Sequence, residues 1–357
     1  MIPKGLYIHV PFCVRKCPYC DFYSETDLTL TQSYTEAVIR NINQRNCYAD
    51  TVYFGGGTPS LLTSKQIENI LSAVKIAEDS EITMECNPNT VTLEYLRDIL
   101  SAGVNRISFG IQSLDDGELK MLGRIHDSQT AVNAVHLAYE AGFRNISADL
   151  MLCTANQTMY SLGNTLEKLV KLPLAHVSAY MLKIEPDTPY GRNDSILPLL
   201  PDEDETADMY LFAVKKLAEH GFEQYEISNF AKDGFESRHN LKYWRCEEYY
   251  GIGPSAHSFI DGIRRACPKN LQQFISQETQ TELVTEENGG DYEEQTMLSL
   301  RLTKEGLDLD KISGGDEILN RAKPLISAGL MKRDGRRLIL TAEGCLVSNE
   351  IICRLIV

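Results

Sequence analysis

Three cysteines within eight residues near the start of the chain carry the strongest chemical signal in the sequence. Cys13, Cys17 and Cys20 form a C-x-x-x-C-x-x-C run. A loop this short places all three thiols around one small ligand. Thiolates bind zinc, copper(I) or an iron–sulfur cluster. Structural zinc usually takes two cysteine pairs, and the chain has no second C-x-x-C pair. The spacing therefore favours a cluster with one open iron, with zinc as the alternative.

The run resembles the signature of the radical S-adenosylmethionine (SAM) enzymes. In these enzymes the open iron of a [4Fe-4S] cluster is chelated by the methionine part of SAM. A short apolar strand is predicted just before the cysteines, and Pro11 ends its ladder. The cluster would then lie beyond the carboxyl end of a first strand, where barrels of alternating strands and helices assemble their sites.

The elements that must position this loop follow an alternating pattern from residue 6 to about 230. Repeated β-α units imply a parallel sheet with helices outside. Ala-Gly or His-Gly pairs at residues 102–103, 141–142 and 220–221 predict helix ends. We expect an α/β fold, an open partial (β/α)6 barrel. Its strands are predicted at Thr51–Phe54, Ile82–Cys86, Arg106–Ile111, Ile146–Leu152 and Val177–Ile184, with a trailing strand at Gln224–Ile227.

Polar residues collect at the ends of these predicted strands. Gly55-Gly56-Gly57-Thr58 follows the second strand, and three glycines let backbone groups approach a ligand. Glu85 closes the third strand, where a carboxylate is costly to bury unless it is paired. Each residue alone could be a structural polar group, but their joint placement favours one site.

In order and spacing, these residues match the SAM-contacting positions of the oxygen-independent coproporphyrinogen III oxidase family. The resemblance covers nearly the whole chain. It implies that Arg124 binds a SAM carboxylate and that Gln112 and Asp149 bind the ribose hydroxyls. Glu85 would hold the amino or ribose end, and Tyr19 would offer an aromatic face nearby. The matching residues are Tyr7, Gly56, Gly57, Thr58, Glu85, Gln112, Arg124 and Asp149.

Two features depart from the oxidases and one points to a related group. Phe22 stands where the oxidases have a fourth cysteine, and only twelve residues precede Cys13. The H-N-x-x-Y-W stretch at residues 239–244 resembles the heme chaperones related to these oxidases. This resemblance implies a protein that binds heme and passes it to acceptor hemoproteins such as respiratory enzymes. The alternative is SAM-dependent radical decarboxylation of coproporphyrinogen III, and the sequence leaves open whether SAM is cleaved or only bound.

Imidazole is the usual axial ligand of heme iron, so His239 is the candidate ligand. A packed junction for His239 and core filling for Trp244 are the plain structural alternatives. Nearby cations could bind the heme propionates. They are Arg238, Lys242, Arg245, Arg264 and Arg265.

We predict three regions: a radical SAM core over 1–230, a loop-rich bridge with the heme motif over 231–285, and a winged-helix-like domain over 286–357. Asp334-Gly335 predicts a hairpin turn in the last region. The net charge of −15 disfavours nucleic acid as a partner. We expect no integral membrane segment, a cytoplasmic location and a possible homodimer.

Overall fold

A run of parallel strands, each followed by one or two helices, forms the centre of the molecule in the computed structural model, which describes residues 2–356. This alternation confirms the predicted partial barrel. The parallel strands are β1 Lys4–Val10, β2 Tyr48–Gly56, β3 Lys75–Cys86, β4 Arg106–Gln112, β5 Asn145–Leu152 and β6 His176–Met181. The helices are α1 Thr31–Arg45, α2 Ser64–Ala73, α3 Leu93–Ser101, α4 Asp116–Met121, α5 Ser128–Ala141, α6 Met159–Leu169 and α7 Glu203–Ala218.

The two faces of the parallel strands differ in character. On β1, Leu6, Ile8 and Val10 are completely buried in the main apolar core. Because successive strand side chains point to opposite faces, Tyr7 and His9 lie on the other side. That inner side is polar, and the inside of the barrel can therefore hold charged and hydrogen-bonding groups.

The helix ends follow the predicted glycine signals. Gly103, Gly142 and Gly221 all adopt positive φ, at 113°, 117° and 79°. This left-handed conformation costs glycine little and ends a helix cleanly before the next strand. The chain therefore enters β4 and β5 at fixed points, and this fixes where their carboxyl ends lie.

The sheet extends beyond the parallel strands on both sides. On one side Tyr249–Ile252 (β9) pairs in parallel with β1, and His257–Ile260 (β10), Ile263–Ala266 (β11) and Leu283–Glu286 (β12) continue the sheet with antiparallel pairing. On the other side Asn229–Ala231 (β8) pairs antiparallel with β6, and Glu223–Glu226 (β7) pairs antiparallel with β8. The two edges, β12 and β7, do not pair, so the barrel is open. The added elements are β7 Glu223–Glu226, β8 Asn229–Ala231, α8 Arg238–Trp244, β9 Tyr249–Ile252, β10 His257–Ile260, β11 Ile263–Ala266, α9 Leu271–Ser276 and β12 Leu283–Glu286.

One expectation needs correction here, and one predicted strand is given its direction. The stretch 231–285, for which we expected loops, contributes α8, α9 and four strands of the main sheet. The trailing strand, β7, is antiparallel to its neighbour β8. Strands of four residues span too few side chains for periodicity to reveal them.

The remaining chain forms a smaller helical module with a hairpin. Met331–Asp334 (β14) and Arg337–Leu340 (β15) pair around the predicted Asp334-Gly335 turn, and Leu307–Asp308 (β13) pairs with β15. Its elements are α10 Tyr292–Ser299, β13 Leu307–Asp308, α11 Gly315–Ser327, β14 Met331–Asp334, β15 Arg337–Leu340, α12 Ala342–Leu346 and α13 Ser348–Ile356. Within residues 2–356, the helices are all too short or too polar to cross a membrane.

Candidate functional site

One cavity of about 410 Å³ at the carboxyl ends of the parallel strands collects most of the predicted site residues. Its lining joins the cysteine loop to the ends of β2, β3, β4 and β5. The residues that it brings together are Cys13, Cys17, Cys20, Tyr19, Gly56, Gly57, Thr58, Glu85, Gln112, Arg124 and Asp149. Tyr7 and His239 do not line this cavity.

The cysteine loop begins directly after β1 and is closed by backbone hydrogen bonds. The Cys13 N–H donates to the Glu25 carbonyl at 2.9 Å, and the Glu25 N–H donates to the Pro11 carbonyl at 2.7 Å. All three loop cysteines are half-buried and free. In the part of the chain described, no three His, Cys, Asp or Glu side chains are already gathered as a metal centre. The donor set still fits an iron–sulfur cluster, because three free thiols line one cavity.

The glycine run closes β2 against the backbone that leads into this loop. The Gly57 N–H donates to the Val10 carbonyl at 2.9 Å, and a Cβ at Gly57 would lie 2.6 Å from the Phe12 carbonyl oxygen. At Gly56, φ is 107° and a Cβ would lie 2.6 Å from the His9 ring. The glycines are therefore required by packing, and both line the cavity.

Arg124 ties the cysteine loop to the ends of β3 and β4. Its Nη2 donates to the Gly110 carbonyl at 2.6 Å and to Asn87 Oδ1 at 2.5 Å, and its Nη1 lies 3.7 Å from Cys17 Sγ. Its Nε is buried without a hydrogen-bond partner among the residues described. A guanidinium in this position can bind a carboxylate through its planar fork.

Gln112 and Asp149 present polar atoms to the same cavity from β4 and β5. Gln112 has a φ of 71°, an unusual value for a residue other than glycine, and its buried Oε1 lacks a partner among residues 2–356. Asp149 Oδ1 accepts a hydrogen bond from Ser108 at 3.0 Å, and burial raises the pKa of its carboxyl above the ordinary value. The unpaired Gln112 oxygen and the Asp149 carboxylate can accept hydrogen bonds from two adjacent hydroxyl groups of a ligand.

Glu85 already has two partners inside the barrel. Its Oε1 accepts from the Tyr53 hydroxyl at 2.8 Å, and its Oε2 accepts from the Gly56 N–H at 3.1 Å. Burial, with a smaller contribution from Asp149, raises the pKa of Glu85 to about 7. Glu85 therefore fixes the glycine backbone as well as facing the cavity.

Some cavity residues, and a histidine that packs beneath the cavity glycines without lining the cavity, were not identified from the sequence. His9, below the glycines, bonds to the Tyr7 hydroxyl at 3.1 Å and to the Tyr23 carbonyl at 2.9 Å. Met151 and Tyr180 line the cavity from β5 and β6. No spacing marks these positions, although their places near strand ends were a usable signal.

His239 lies at the opposite, amino end of the strands. Its side chain is 1% exposed, and its ring nitrogens hydrogen-bond with the Thr51 hydroxyl at 2.9 Å and the Tyr243 hydroxyl at 2.8 Å. Burial lowers the pKa of this imidazole to about 3. Glu81 also accepts the Arg238 and His239 backbone N–H groups at 3.1 and 3.0 Å. In this structure α8 covers the amino-terminal end of the barrel, which we call the barrel floor.

The cations around α8 are largely committed to other partners. Lys242 pairs with Asp50 and Glu247 at 3.1 Å, and Arg245 pairs with Glu305. Arg264 pairs with Glu294 at 2.6 Å and Arg238 donates to a backbone carbonyl. The proposed propionate role for this patch would require these contacts to break.

Residues 7–171 match the family model of the Radical SAM superfamily. Together with the partial barrel and the cysteine loop at its first strand, this match defines a protein of the radical SAM class. Among solved structures, coproporphyrinogen III oxidase (HemN) from Escherichia coli aligns with a TM-score of 0.82 over 99% of this chain and 90% of its own. At 21% identity this likeness shows a shared fold.

Curated relatives narrow the class. The chain is 34% identical to the heme chaperone HemW of Lactococcus lactis, over 98% of this chain and 96% of that protein. It is also 34% identical to HemW of Bacillus subtilis, over 98% of both chains, and 40% identical to HemW of Escherichia coli, over 73% of this chain and 72% of that one. The chain belongs to the heme chaperone HemW family.

Replacing Asp149 with alanine is expected to weaken SAM binding by about 1–3 kcal/mol, the usual loss for a hydrogen bond to a charged group. Titration calorimetry on cluster-loaded protein would measure this. The iron content should not change, because Asp149 is on β5 and the cysteines are beyond β1. Equal loss of SAM and iron would show instead that Asp149 supports the fold.

Proposed function

We propose that this chain binds heme and transfers it to acceptor hemoproteins, respiratory enzymes among them, while its barrel holds a [4Fe-4S] cluster and SAM. The identity to HemW heme chaperones over nearly the full length of both chains carries the proposal. The cavity supports it further, because cysteines, glycines and SAM-type polar groups from separate strands meet there.

The three loop cysteines and four polar side chains of the cavity have roles in this proposal. Cys13, Cys17 and Cys20 would hold the cluster, which supplies an open iron when bound. Arg124 would bind the SAM carboxylate, and Glu85 the amino or ribose end. The orphaned Oε1 of Gln112 and the Asp149 carboxylate would accept the ribose hydroxyls. These roles fit the donors and acceptors that each side chain offers.

The heme ligand is a separate question. His239 as the axial ligand stays a prediction, and it requires a conformation in which the imidazole leaves both Thr51 and Tyr243. A lost hydrogen bond to a buried group costs about 1–3 kcal/mol. Heme binding at His239 would therefore be coupled to opening of the barrel floor.

A paired assay on the anaerobically reconstituted protein tests the function. We expect saturable heme binding by Soret absorption and transfer of that heme to apomyoglobin. With SAM and reductant present, we expect no consumption of coproporphyrinogen III, because Phe22 replaces the fourth cysteine expected of the oxidases. Multiple-turnover formation of protoporphyrinogen would contradict the proposal and favour the oxidase function.

We also propose a cytoplasmic location, because all ten cysteines are free in the structure and cluster thiolates need a reducing compartment. The homodimer stays a prediction, which sedimentation of the loaded protein would settle.

A further inference from the structure

An exposed aromatic ring stands at the mouth of the cofactor cavity. Phe22 is 64% exposed, and it lines the same cavity as Cys20 and Asp149. Tyr180, 40% exposed, and Leu182 line the cavity from the end of β6 and beyond. A large apolar ring left in water at the rim of a cavity indicates a ligand with an apolar face.

The same rim carries two cations without a salt-bridge partner among the described residues, whereas Glu185 at this rim is paired with Lys183 and Asp21 also lines the cavity. Arg15 and Lys16, on the tip of the cysteine loop, are exposed and line the cavity. Arg15 donates to the Gly123 carbonyl, and neither residue forms a salt bridge within residues 2–356. In a protein of net charge −15, two such cations next to an exposed aromatic ring favour an anionic aromatic ligand.

We infer that heme binds at this mouth, with one face against Phe22 and its propionates toward Arg15 and Lys16. The inference rests on the proposed function and names the place where the cargo is held. A porphyrin offers both a flat apolar face and two carboxylates. Of the cations near α8, Lys242, Arg245 and Arg264 are already paired with carboxylates, and His239 is buried, so the mouth is the more accessible site.

No histidine lines this cavity. A heme held by face contact and charge, without an imidazole bond to iron, exchanges readily. This suits a cargo that must be handed to another protein.

Heme titration of full-length, cluster-loaded variants tests the site. Phe22→Ala is expected to raise the heme Kd about tenfold, because an aromatic contact and its buried area are lost. Phe22→Trp, which keeps an aromatic ring, should bind heme as tightly as wild type. Lys16→Glu should bind heme more weakly, and the difference from wild type should shrink as the salt concentration rises. Tyr139→Ala and Lys332→Glu are the matched controls, an exposed ring on α5 and an exposed cation on β14. Iron content and Tm should stay constant throughout.

The outcomes separate the site from the function. If wild-type protein binds no heme, the proposed function fails. If wild type binds heme and Phe22→Ala and Lys16→Glu bind as tightly as the controls, the mouth site is wrong while the function stands. Loss of heme from His239→Ala, with unchanged Tm and iron content, would also overturn the mouth site and place heme at α8.

Discussion

Replacing Cys13, Cys17 and Cys20 together with alanine is expected to abolish iron–sulfur binding and leave the barrel folded. The thiolates are the only cluster donors that we assign, and the wild-type protein should hold about four irons. The fold should survive because the core of the parallel strands is formed by apolar side chains, and none of the three loop cysteines belongs to it. Iron analysis and visible absorption would measure the cluster, and circular dichroism the fold.

The exposed Cys353 provides the control, since Cys353→Ala removes a free thiol outside the cavity. It should keep its iron. Iron–sulfur absorption that persists in the triple variant would refute the assigned ligands and reopen the zinc alternative for the loop.

The second large effect is the pH dependence of stability that Glu85 causes. The pKa of Glu85 is about 7 in the folded protein and 4.5 as its ordinary value, so folding disfavours the charged carboxylate. As the pH rises, Glu85 ionises at a lower pH in the unfolded chain than in the folded protein. The free energy of unfolding therefore falls between about pH 4.5 and 7. The loss is roughly 3 kcal/mol at most. Glu85→Gln cannot ionise, and its amide can replace the protonated acid between Tyr53 and Gly56.

Above pH 7, the Glu85→Gln variant, loaded with its cluster and free of SAM, should therefore melt a few degrees higher than wild type in the same state. The two should converge toward pH 5. Thermal denaturation across this range is the measurement, and Glu94→Gln on the exposed face of α3 is the control. Parallel melting curves at every pH would show that Glu85 ionises at an ordinary pKa.

The sequence predicted the barrel and most of its cavity because both follow local rules. Parallel strands place their carboxyl ends at one edge, so Gln112 and Asp149 could be placed near the cysteines without knowing any contact. The three glycine helix ends followed from backbone conformation alone. Each of these features is determined by residues that lie close together in the sequence.

The parts that escaped prediction depend on partners far along the chain. His9 carries no pattern, and its position becomes meaningful only once Gly56 packs on its ring. The burial of His239 depends on Thr51, Tyr243 and Glu81, which no spacing connects. A histidine with both nitrogens engaged looks the same in sequence as one free to bind iron.

The pairing of β1 with β9 has a consequence for synthesis on the ribosome. β1 is the first strand made, and it gains one neighbour early, when β2 follows it. Its other edge stays open until Tyr249–Ile252 emerges and pairs with residues 5–8. Through most of translation the nascent chain therefore exposes an unpaired, apolar strand edge, the kind of surface that invites aggregation. A fragment ending near residue 230 would keep that edge permanently, and we expect it to aggregate more readily than the full chain.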